Sequence, residues 1–325
     1  MRSGARAFAI LGLALAVAAP LRAAERMKVV LDTDIGTDID DAWALGFALA
    51  HPGFDLVGVT VTDGDTAARA KVACKLLHAT GRGDVPVAVG RATKVPPERV
   101  DQQFSWAEDF KAKKPVGKPA AQFLVDVAKK HPGQITLIAV GPLQNVADAL
   151  RREPGLGRYL KRVVLMSGCI RGTADKPAQI IPEWNVVSAT ADAQLVYAAG
   201  LPLTIVPLDS TTHVRLADRE RERLKGHRSP LTVSLEALYR LWIESPQQRM
   251  TLHDQLAVVE AEFPGEYFGS IPTVPLAVDD KGFTRPDSTR GKTVRVALEP
   301  KRDAFMDHYL GRLLGQTLNL PGHAP

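Results

Sequence analysis

The sequence predicts an α/β protein whose central sheet is mostly parallel and is covered by helices on both faces. Short runs rich in Val, Ile and Leu alternate with longer helical stretches along the first two thirds of the chain, and such alternation is typical of parallel sheets. These runs are apolar almost throughout, as expected of strands that are buried on both faces. No Gly/Ser-rich linker divides the 325 residues, which favours a single domain over residues 25–325.

Predicted strands and helices alternate strictly as far as Val206. Two copies of "HPG", at His51–Gly53 and His131–Gly133, each follow a predicted helix and precede a predicted strand, and we interpret both as helix stops. The predicted strands are Lys28–Leu31, Leu56–Val61, Val85–Val89, Ile135–Val140, Arg162–Met166 and Leu203–Val206. The predicted helices between them are Asp41–Ala50, Thr66–Thr80, Pro119–Lys130, Leu143–Arg151 and Ala189–Ala199.

The pattern loosens after Asp209, and one earlier segment stands apart. The segment Lys94–Lys118 is polar, contains several prolines and has few apolar anchors, which predicts a mobile loop over a site. The remaining predicted elements are helices at Ala217–Lys225, Leu231–Ile243 and His253–Glu260, an extended stretch at Thr293–Leu298, and a final helix at Arg302–Leu318.

The first 24 residues are typical of a secretory signal peptide. Arg2 and Arg6 precede an uncharged apolar run at Ala7–Ala19, and small residues follow. The run is shorter than a membrane span requires. We therefore expect cleavage near Ala23 or Ala24, a periplasmic or secreted protein, and no membrane association afterwards. The alternative is a buried N-terminal helix.

Composition excludes several classes of function. The chain has 41 basic and 36 acidic residues, and removing the first 24 residues removes three Arg and no acid, which leaves 38 and 36, or +2. No stripe of Lys and Arg with interleaved aromatics is present, so we expect no nucleic-acid partner.

Cys74 and Cys169 are the only cysteines. They form either one disulfide or, as we favour, two buried apolar side chains.

An acidic turn is the most unusual feature of the chain. The stretch "VVLDTDIGTDIDDAWALGFAL" begins at Val29 and places five Asp residues between a predicted strand and a predicted helix. Ligands of open α/β sheets bind beyond the carboxyl ends of the strands. Carboxylates this close raise one another's pKa, and a helix N-terminus stabilises only one or two of them. A hard cation with oxygen ligands, Ca²⁺ or Mg²⁺, would resolve the conflict. Without one, we expect the turn to be protonated or partly disordered.

Three other interpretations of this turn account for less. A solvated helix cap explains one or two of the carboxylates. An EF-hand is excluded because Gly36 falls at the wrong step after Asp32 and the Glu that should end the loop is absent. The string "DTDIGTD" is similar to the DxDGT opening of the haloacid dehalogenase family, but no later Lys and acidic pair lies at suitable strand ends.

Three later motifs complement the acidic turn. They are "VGPLQN" after a buried strand, "PEWN" at residues 182–185, and "HD" at residues 253–254. Together the four motifs resemble the inosine-uridine-preferring nucleoside hydrolase family, which carries a DxDxGxDD turn, a strand ending in TGPLTN, an E-F-N segment and a late HD pair in the same order. The resemblance implies a Rossmann-like nucleoside hydrolase fold, a bound Ca²⁺, and hydrolysis of ribonucleosides to ribose and free base. It also implies a homo-oligomer, a dimer or tetramer.

The resemblance assigns a metal site and two catalytic groups. Asp34 matches the carboxylate that binds Ca²⁺ and activates the attacking water, and Asp41 and Asp254 match the other Ca²⁺ carboxylates. Val140 stands where a backbone carbonyl completes the metal site. His253 matches the group proposed to assist the leaving base with a proton or a strong hydrogen bond.

The resemblance also assigns the substrate contacts. Asp40 matches the residue that contacts the ribose hydroxyls, and Glu183 and Asn185 match the ribose-binding pair. The set is completed by Met166, which matches a residue lining the sugar pocket, by Trp184, which replaces a Phe, and by Asp32, which we place behind Asp34 as its support.

Some positions depart from the family pattern. The turn has two extra residues between Gly36 and the pair Asp40–Asp41, so Asp38 has no assigned role. Asp65 replaces a substrate-binding Asn in "TDGD", which removes a donor amide and adds a negative charge. The loop after "LMSG" lacks a clear match to a ribose-binding Asn. Because of these departures, the resemblance determines the identity of the substrate less closely than it determines the fold or the metal ion.

Base recognition rests on one further pair. Tyr239 and Trp242 lie three residues apart on one predicted helical face shortly before His253, and either ring could stack on a nucleobase. Ordinary helix packing explains the pair equally well.

An exported, Ca²⁺-dependent ribonucleoside hydrolase is therefore the leading hypothesis. Two alternatives remain: a nucleoside- or ribose-binding protein that has lost catalysis, and an N-glycosidase for another ribosyl substrate. Release of reducing sugar from a panel of nucleosides distinguishes them.

Overall fold

The computed structural model describes residues 25–96, 99, 101–245 and 248–315. The predicted signal segment, residues 1–24, lies outside them. The strands within the described residues are β1 (Met27–Thr33), β2 (Phe54–Val61), β3 (Val87–Val89), β4 (Ile135–Ala139), β5 (Leu160–Met166), β6 (Leu203–Val206), β7 (Phe268–Ser270), β8 (Thr273–Val278), β9 (Thr284–Pro286), β10 (Lys292–Val296) and β11 (Leu298–Pro300).

Helices connect most of these strands. They are α1 (Asp40–Ala50), α2 (Thr66–Ala79), α3 (Phe104–Ala107), α4 (Ala120–Lys130), α5 (Gln144–Arg152), α6 (Trp184–Val187), α7 (Thr190–Ala198), α8 (Leu208–Thr211), α9 (Asp218–His227), α10 (Pro230–Trp242), α11 (His253–Glu262) and α12 (Arg302–Leu313), with one turn of 3-10 helix at Leu156–Arg158.

The main sheet is mixed but mostly parallel, as the sequence predicts. Its strand order is β3-β2-β1-β4-β5-β6-β10-β8-β9, and β7 and β11 form a separate two-stranded sheet. All neighbours from β3 to β10 pair in parallel, whereas β8 pairs antiparallel with β10 and β9. Helices α1, α2, α10, α11 and α12 bury one apolar face of the sheet, and α4, α5 and α7 bury the other.

The predicted elements are confirmed, with shifts at their ends. β3 begins at Val87, because Pro86 has no N–H to donate to a ladder. The predicted stretch Thr293–Leu298 divides into β10 and β11, since Val296 pairs with β6 and Leu298 pairs with β7. The final helix ends at Leu313, and residues 316–318 of its predicted extent lie outside the described residues. The sequence did not predict β7, β8, β9, α3, α6 or α8, most of which are too short to show a period.

Parallel pairing gathers the candidate residues at one edge. β1 lies between β2 and β4, and β5 follows on the far side of β4. Asp32 is in register with Ala139, and Ala139 with Leu165, so these three strands end side by side. Asp34, Val140 and Met166 therefore leave the sheet at neighbouring positions.

The cysteines and the helices bear on two further expectations. Cys74 and Cys169 are both buried and are not bonded to each other, which confirms the favoured interpretation. Among the described residues, no helix has the length and apolar character needed to cross a membrane.

A buried polar cluster ties three helices together on the α1 side of the sheet. Glu262, at the end of α11, contacts Nε2 of His51, which follows α1, and lies 3.1 Å from Nε2 of His308 on α12. The Nδ1 atom of His51 accepts the N–H of Gly53 at 3.1 Å, which leaves Nε2 as the protonated nitrogen that faces Glu262. A metal ion would need that nitrogen deprotonated, so we interpret the cluster as a hydrogen-bonded tie.

Replacing Glu262 should destabilise the fold in a pH-dependent way. Burial raises the pKa of the Glu262 carboxyl, but hydrogen bonds from His308 and His51 outweigh it, so the folded pKa lies below the ordinary value of 4.5. The stabilisation is therefore present above about pH 4.5 and is lost as the pH falls through the folded pKa. We expect Glu262→Gln to lower the free energy of unfolding at pH 7 by about 3 kcal/mol, and by clearly less at pH 3.5, in urea titrations.

The exposed Glu108 offers a matched control, and Glu108→Gln should change stability little at either pH. An equal loss for Glu262→Gln at pH 7 and pH 3.5 would contradict the role assigned to the carboxylate.

Candidate active site

A cavity of about 500 Å³ opens at the carboxyl edge of β1, β4 and β5. Residues from the turn after β1, from the strand ends, and from the starts of α6 and α11 form its walls. The lining residues are Asp34, Thr37, Asp38, Asp40, Asp41, Pro96, Arg99, Val140, Met166, Glu183, Trp184, Asn185, Leu208, His253 and Asp254. The structure thus brings together most of the residues that the sequence singled out.

Three carboxylates form the most tightly packed part of the wall. Asp40, Asp41 and Asp254 each place an oxygen within 4.8 Å of the other two, and all three are buried. Asp41 accepts hydrogen bonds from the Thr33 hydroxyl and, at 3.1 Å, from the N–H of Asp34. This arrangement brings together residues more than 200 positions apart in the chain.

The helix starts fix Asp40 and Asp254 against each other. Asp40 and Asp41 are the first residues of α1, and Asp254 is the second residue of α11. The N–H of Asp254 donates to Asp40 Oδ2 at 3.4 Å, and the Gln255 amide donates to the Asp40 carbonyl at 2.7 Å. Both helix N-termini therefore point at the cluster and favour negative charge there.

Burial and mutual repulsion raise the pKa values of the carboxyl groups in this cluster. The pKa values of Asp40, Asp41 and Asp254 lie well above the ordinary range. Desolvation by burial is the largest cause, and the charges of neighbouring carboxylates are the next. In the absence of a cation, burial and repulsion therefore favour the protonated form of these groups.

Asp34 lies beside the three-carboxylate cluster rather than within it. Burial raises the pKa of its carboxyl to about 6, although the nearby Arg69 guanidinium opposes the rise. Nη2 of Arg69 lies 4.0 Å from Asp34 Oδ2. The value leaves Asp34 mostly ionised at neutral pH while keeping it a reasonable proton acceptor.

Asp32 lies near the end of β1 and does not line the cavity. It is fully buried, and its Oδ1 accepts the Thr60 hydroxyl at 2.5 Å and the Asn145 amide at 2.7 Å. Desolvation raises its pKa to about 7, against the effect of these two hydrogen bonds.

A second wall carries the predicted sugar contacts. Asn185 donates its amide to the Val140 carbonyl at 2.7 Å and to the Met166 carbonyl at 3.1 Å. Glu183 caps the N-terminus of α6 and accepts the N–H groups of Gly168 and Asn185 at 3.0 and 2.7 Å. Burial raises the pKa of Glu183 to about 7 despite these bonds. Both side chains are therefore held rigidly at the cavity.

The ring side chains at the cavity differ in exposure. Trp184 retains 48% of its accessible surface, so its face is open to a ligand. His253 is partly buried, and its Nδ1 lies 2.6 Å from the Thr211 hydroxyl. Burial, and then the charge of Arg215, lower the pKa of His253 to about 4. The ring is therefore neutral near pH 7.

Asp65, which the resemblance assigns to the substrate, does not line this cavity. Its exposed side chain accepts the N–H of Ala68 at 2.9 Å and caps α2, and it is not among the residues that line the cavity. Asp63 and Gly64 both adopt a left-handed backbone, with φ of 63° and 62°, and turn the chain toward the helix. The pattern of an Asp followed by a helix carries the capping signal.

Tyr239 and Trp242 do not line the cavity either. Tyr239 is buried against Trp43 and lies under the Arg221 guanidinium, 4.1 Å from its ring centroid, so ordinary helix packing accounts for it. Trp242 is not a lining residue, but its side chain hydrogen-bonds to Asp38. Trp242 therefore contacts the cavity only indirectly, through the Asp38 carboxylate.

Sequence patterns missed several residues of the wall. Asp38 had no assigned role, yet it lines the cavity from the widened turn. Pro96 and Arg99 come from the segment Lys94–Lys118, which the sequence places over a site without naming a residue. Thr37 and Leu208 carry no chemical signal of their own. Only the tertiary fold shows that these positions meet.

A larger groove of about 640 Å³ lies elsewhere, between β3, α4 and α5. Its cations already have partners: Arg91 and Arg151 both pair with Asp148 and Asp192. The groove therefore lacks the concentration of uncompensated charge found at the carboxyl edge of the sheet.

Comparison with known proteins identifies the family. The family model described as inosine-uridine preferring nucleoside hydrolase matches residues 29–307. The chain belongs to this family. It is therefore an N-glycosyl hydrolase of nucleosides, and the match covers every residue of the cavity wall.

Individual relatives of this nucleoside hydrolase agree with the assignment. A probable uridine nucleosidase 2 of Oryza sativa subsp. japonica is 31% identical over 261 residues, 74% of this chain and 75% of the relative. A plant nucleoside hydrolase structure has a TM-score of 0.78 at 24% identity and covers 89% of this chain and 99% of its own. A purine-preferring ribonucleoside hydrolase from Gardnerella vaginalis has a TM-score of 0.75 at 25% identity, covering 89% and 98%.

The donor set of this nucleoside hydrolase fits a metal ion. Buried carboxylates with raised pKa values are groups whose charge lacks compensation, and two helix N-termini offset only part of it. Oxygen donors alone suit a hard divalent cation better than a soft transition metal. The acidic cluster is thus a site that a metal ion can occupy.

Removing divalent cations should make the stability of the protein depend on pH. The folded pKa values of the cluster are raised, so the folded protein binds more protons than the unfolded chain above about pH 4, and stability falls as the pH rises. We expect chelated protein to melt about 5 °C or more lower at pH 8 than at pH 5.5 in calorimetry. Saturating Ca²⁺ should largely remove the difference. An equal or higher melting temperature of the chelated protein at pH 8 would refute the raised pKa values.

Proposed function

We propose that this chain is an exported, Ca²⁺-dependent hydrolase that cleaves the N-glycosidic bond of ribonucleosides to ribose and free base. The observation that carries the proposal is a single cavity whose lining includes Asp34, three clustered carboxylates and the Glu183–Asn185 pair. The family membership supplies the reaction class. Export rests on the signal-like residues 1–24, and assembly into a homo-oligomer rests on the family resemblance.

The metal ion has a defined place in this proposal. Asp41 and Asp254 would hold it, with Asp34 and the Val140 carbonyl, and the proximity of Asp40 makes that carboxylate a further candidate. When bound, Ca²⁺ would supply charge that favours ionisation of a water molecule and orientation of the sugar diol. The Val140 carbonyl already accepts one hydrogen bond from Asn185 and keeps a second lone pair for a cation.

Asp34 is the proton acceptor in the proposed mechanism. Its carboxylate faces the cavity, and a pKa of about 6 places it within the range of an effective general base at neutral pH. The carboxylate takes a proton from the water as the water attacks the anomeric carbon of the ribose. The bond from that carbon to the base nitrogen breaks, and its electron pair leaves with the base, which departs as an anion and takes up a proton from solvent to give the free base.

The second wall orients the sugar. Glu183 and Asn185 are fixed by main-chain partners, so they present hydrogen-bonding groups to the hydroxyls at little cost in side-chain entropy. Met166 covers the apolar side of the pocket, and Trp184 offers an open aromatic face to the sugar or the base. Positive charge that develops on the ribose is stabilised by the surrounding carboxylates.

His253 assists the leaving base as a neutral ring. A pKa of about 4 means that the imidazole carries no transferable positive charge near pH 7. In the tautomer in which the Thr211 hydroxyl donates to Nδ1, the neutral ring carries its proton on Nε2 and can donate a hydrogen bond to the departing base. Of the two roles open from the sequence, hydrogen-bond donation is therefore the one we propose.

Removing the Asp34 carboxylate should abolish turnover. We expect Asp34→Asn to lower kcat about 1,000-fold for uridine or inosine, measured as reducing sugar released in saturating Ca²⁺. The substitution keeps the shape of the side chain, so the circular dichroism spectrum should be unchanged.

Asp65→Asn is the matched control, because Asp65 lies outside the cavity, and its kcat should stay within about twofold of the unmodified protein. Full turnover by Asp34→Asn would remove Asp34 as the base. Binding of nucleosides without sugar release by the unmodified protein would favour a binding protein instead.

A further inference from the structure

The turn between β1 and α1 is two residues longer than the family motif, and side chains from elsewhere in the chain hold its backbone. Residues 34–39 leave the strand at Thr33 and enter the helix at Asp40, so the sheet provides no ladder for their carbonyls. Buried carbonyls need hydrogen-bond donors. Two buried side chains, Arg69 and Gln103, donate to four of these carbonyls.

Arg69 holds the first half of the turn. It lies in the first turn of α2 and is fully buried. Its Nη1 donates to the carbonyls of Asp34 and, at 3.1 Å, Ile35, and its Nε donates to the Asp63 carbonyl at 2.7 Å. Only a planar guanidinium presents donors in the fork that reaches all three carbonyls at once.

Gln103 holds the second half from the opposite side. Its amide nitrogen donates to the Thr37 carbonyl at 3.1 Å and to the Asp38 carbonyl at 2.9 Å, and the side chain is fully buried. The ring of Phe104 covers Gly36 so closely that a Cβ at Gly36 would lie 2.4 Å from Cε1 of the ring. Gln103 and Phe104 therefore pack directly on the widened turn.

Salt bridges connect the two halves. Asp63 Oδ2 lies 3.6 Å from Nη2 of Arg69 and accepts Nη1 of Arg99 at 2.6 Å. Arg99 Nε lies 3.2 Å from Asp101, which in turn accepts the Thr37 hydroxyl at 2.6 Å. The chain of contacts thus begins at Arg69, passes through three charged side chains and returns to the turn.

We propose that Arg69 and Gln103 are positioning residues that aim the Asp34 carboxylate into the cavity. Neither lines the cavity, so each acts through the backbone that it holds. The inference rests on the proposed role of Asp34. It also explains how a turn with two extra residues keeps its acidic side chains in one arrangement although their charges repel one another.

Arg69→Lys tests the first contact, because lysine keeps the charge and loses the fork. In saturating Ca²⁺ and nucleoside, we expect kcat to fall at least tenfold while KM changes less than threefold, since Asp34 acts on the water and the sugar contacts stay in place. Gln103→Leu should give the same split between kcat and KM. The control is Arg162→Lys, which alters a mostly buried arginine paired with Glu260 at the opposite end of β5.

Hydrogen exchange gives a readout that needs neither metal nor substrate. In chelated protein, amides of residues 34–41 should exchange at least fivefold faster in Arg69→Lys than in Arg162→Lys, with peptides from β4 and β5 unchanged. Faster exchange throughout the protein would mean a general stability role and would overturn the proposal. The proposal would also be overturned if Arg69→Lys matched the control Arg162→Lys in both kcat and amide exchange.

The two proposals fail in different ways. If the unmodified protein releases no sugar from any nucleoside, the proposed function fails, and the exchange experiment still decides whether Arg69 holds the turn. If the unmodified protein turns over and Arg69→Lys retains its kcat, only the positioning role is lost.

Discussion

Burial of several carboxylates at one edge of the sheet is the constraint on which the rest of this structure depends. Asp40, Asp41 and Asp254 lie within one ligand sphere, and Asp32, Asp34 and Glu183 surround them with further buried acids. Such a group opposes folding when it is ionised and uncompensated. Each local feature of the site reduces this cost in a different way: helix N-termini face the cluster, Asn145 and Thr60 donate to Asp32, and raised pKa values retain protons.

The sheet and the buried helix α1 hold the acidic side chains of the site in fixed positions. Parallel strands end together, so groups distant in sequence meet without long loops. α1 is buried along most of its length, and its first turn carries Asp40 and Asp41. Displacing those carboxylates would therefore require moving Trp43 and Phe47, which are packed in the core. A metal ion entering this site would find its ligands largely in place, which favours affinity.

The sequence predicted those parts that depend on local pattern and on motif order. Apolar runs located the parallel strands, and the motifs around Asp34, Glu183 and Asp254 located the two walls of the cavity. Asp65 was expected at the substrate, but a left-handed backbone at Asp63 and Gly64 makes it a helix cap outside the cavity lining, and no residue pattern predicts that backbone. Arg99 was missed because its partner Asp63 lies 36 residues away and both belong to loops. Long-range contacts between irregular segments leave no period in a sequence.

The central claim is that a divalent cation completes the acidic cluster and is needed for turnover. Its most direct test measures metal content and sugar release on the same chelated sample as Ca²⁺ is added back in steps. The account predicts negligible turnover without metal and recovery in proportion to bound Ca²⁺, reaching a plateau near one ion per chain. Full turnover in protein shown to be metal-free, or recovery unrelated to bound metal, would contradict it.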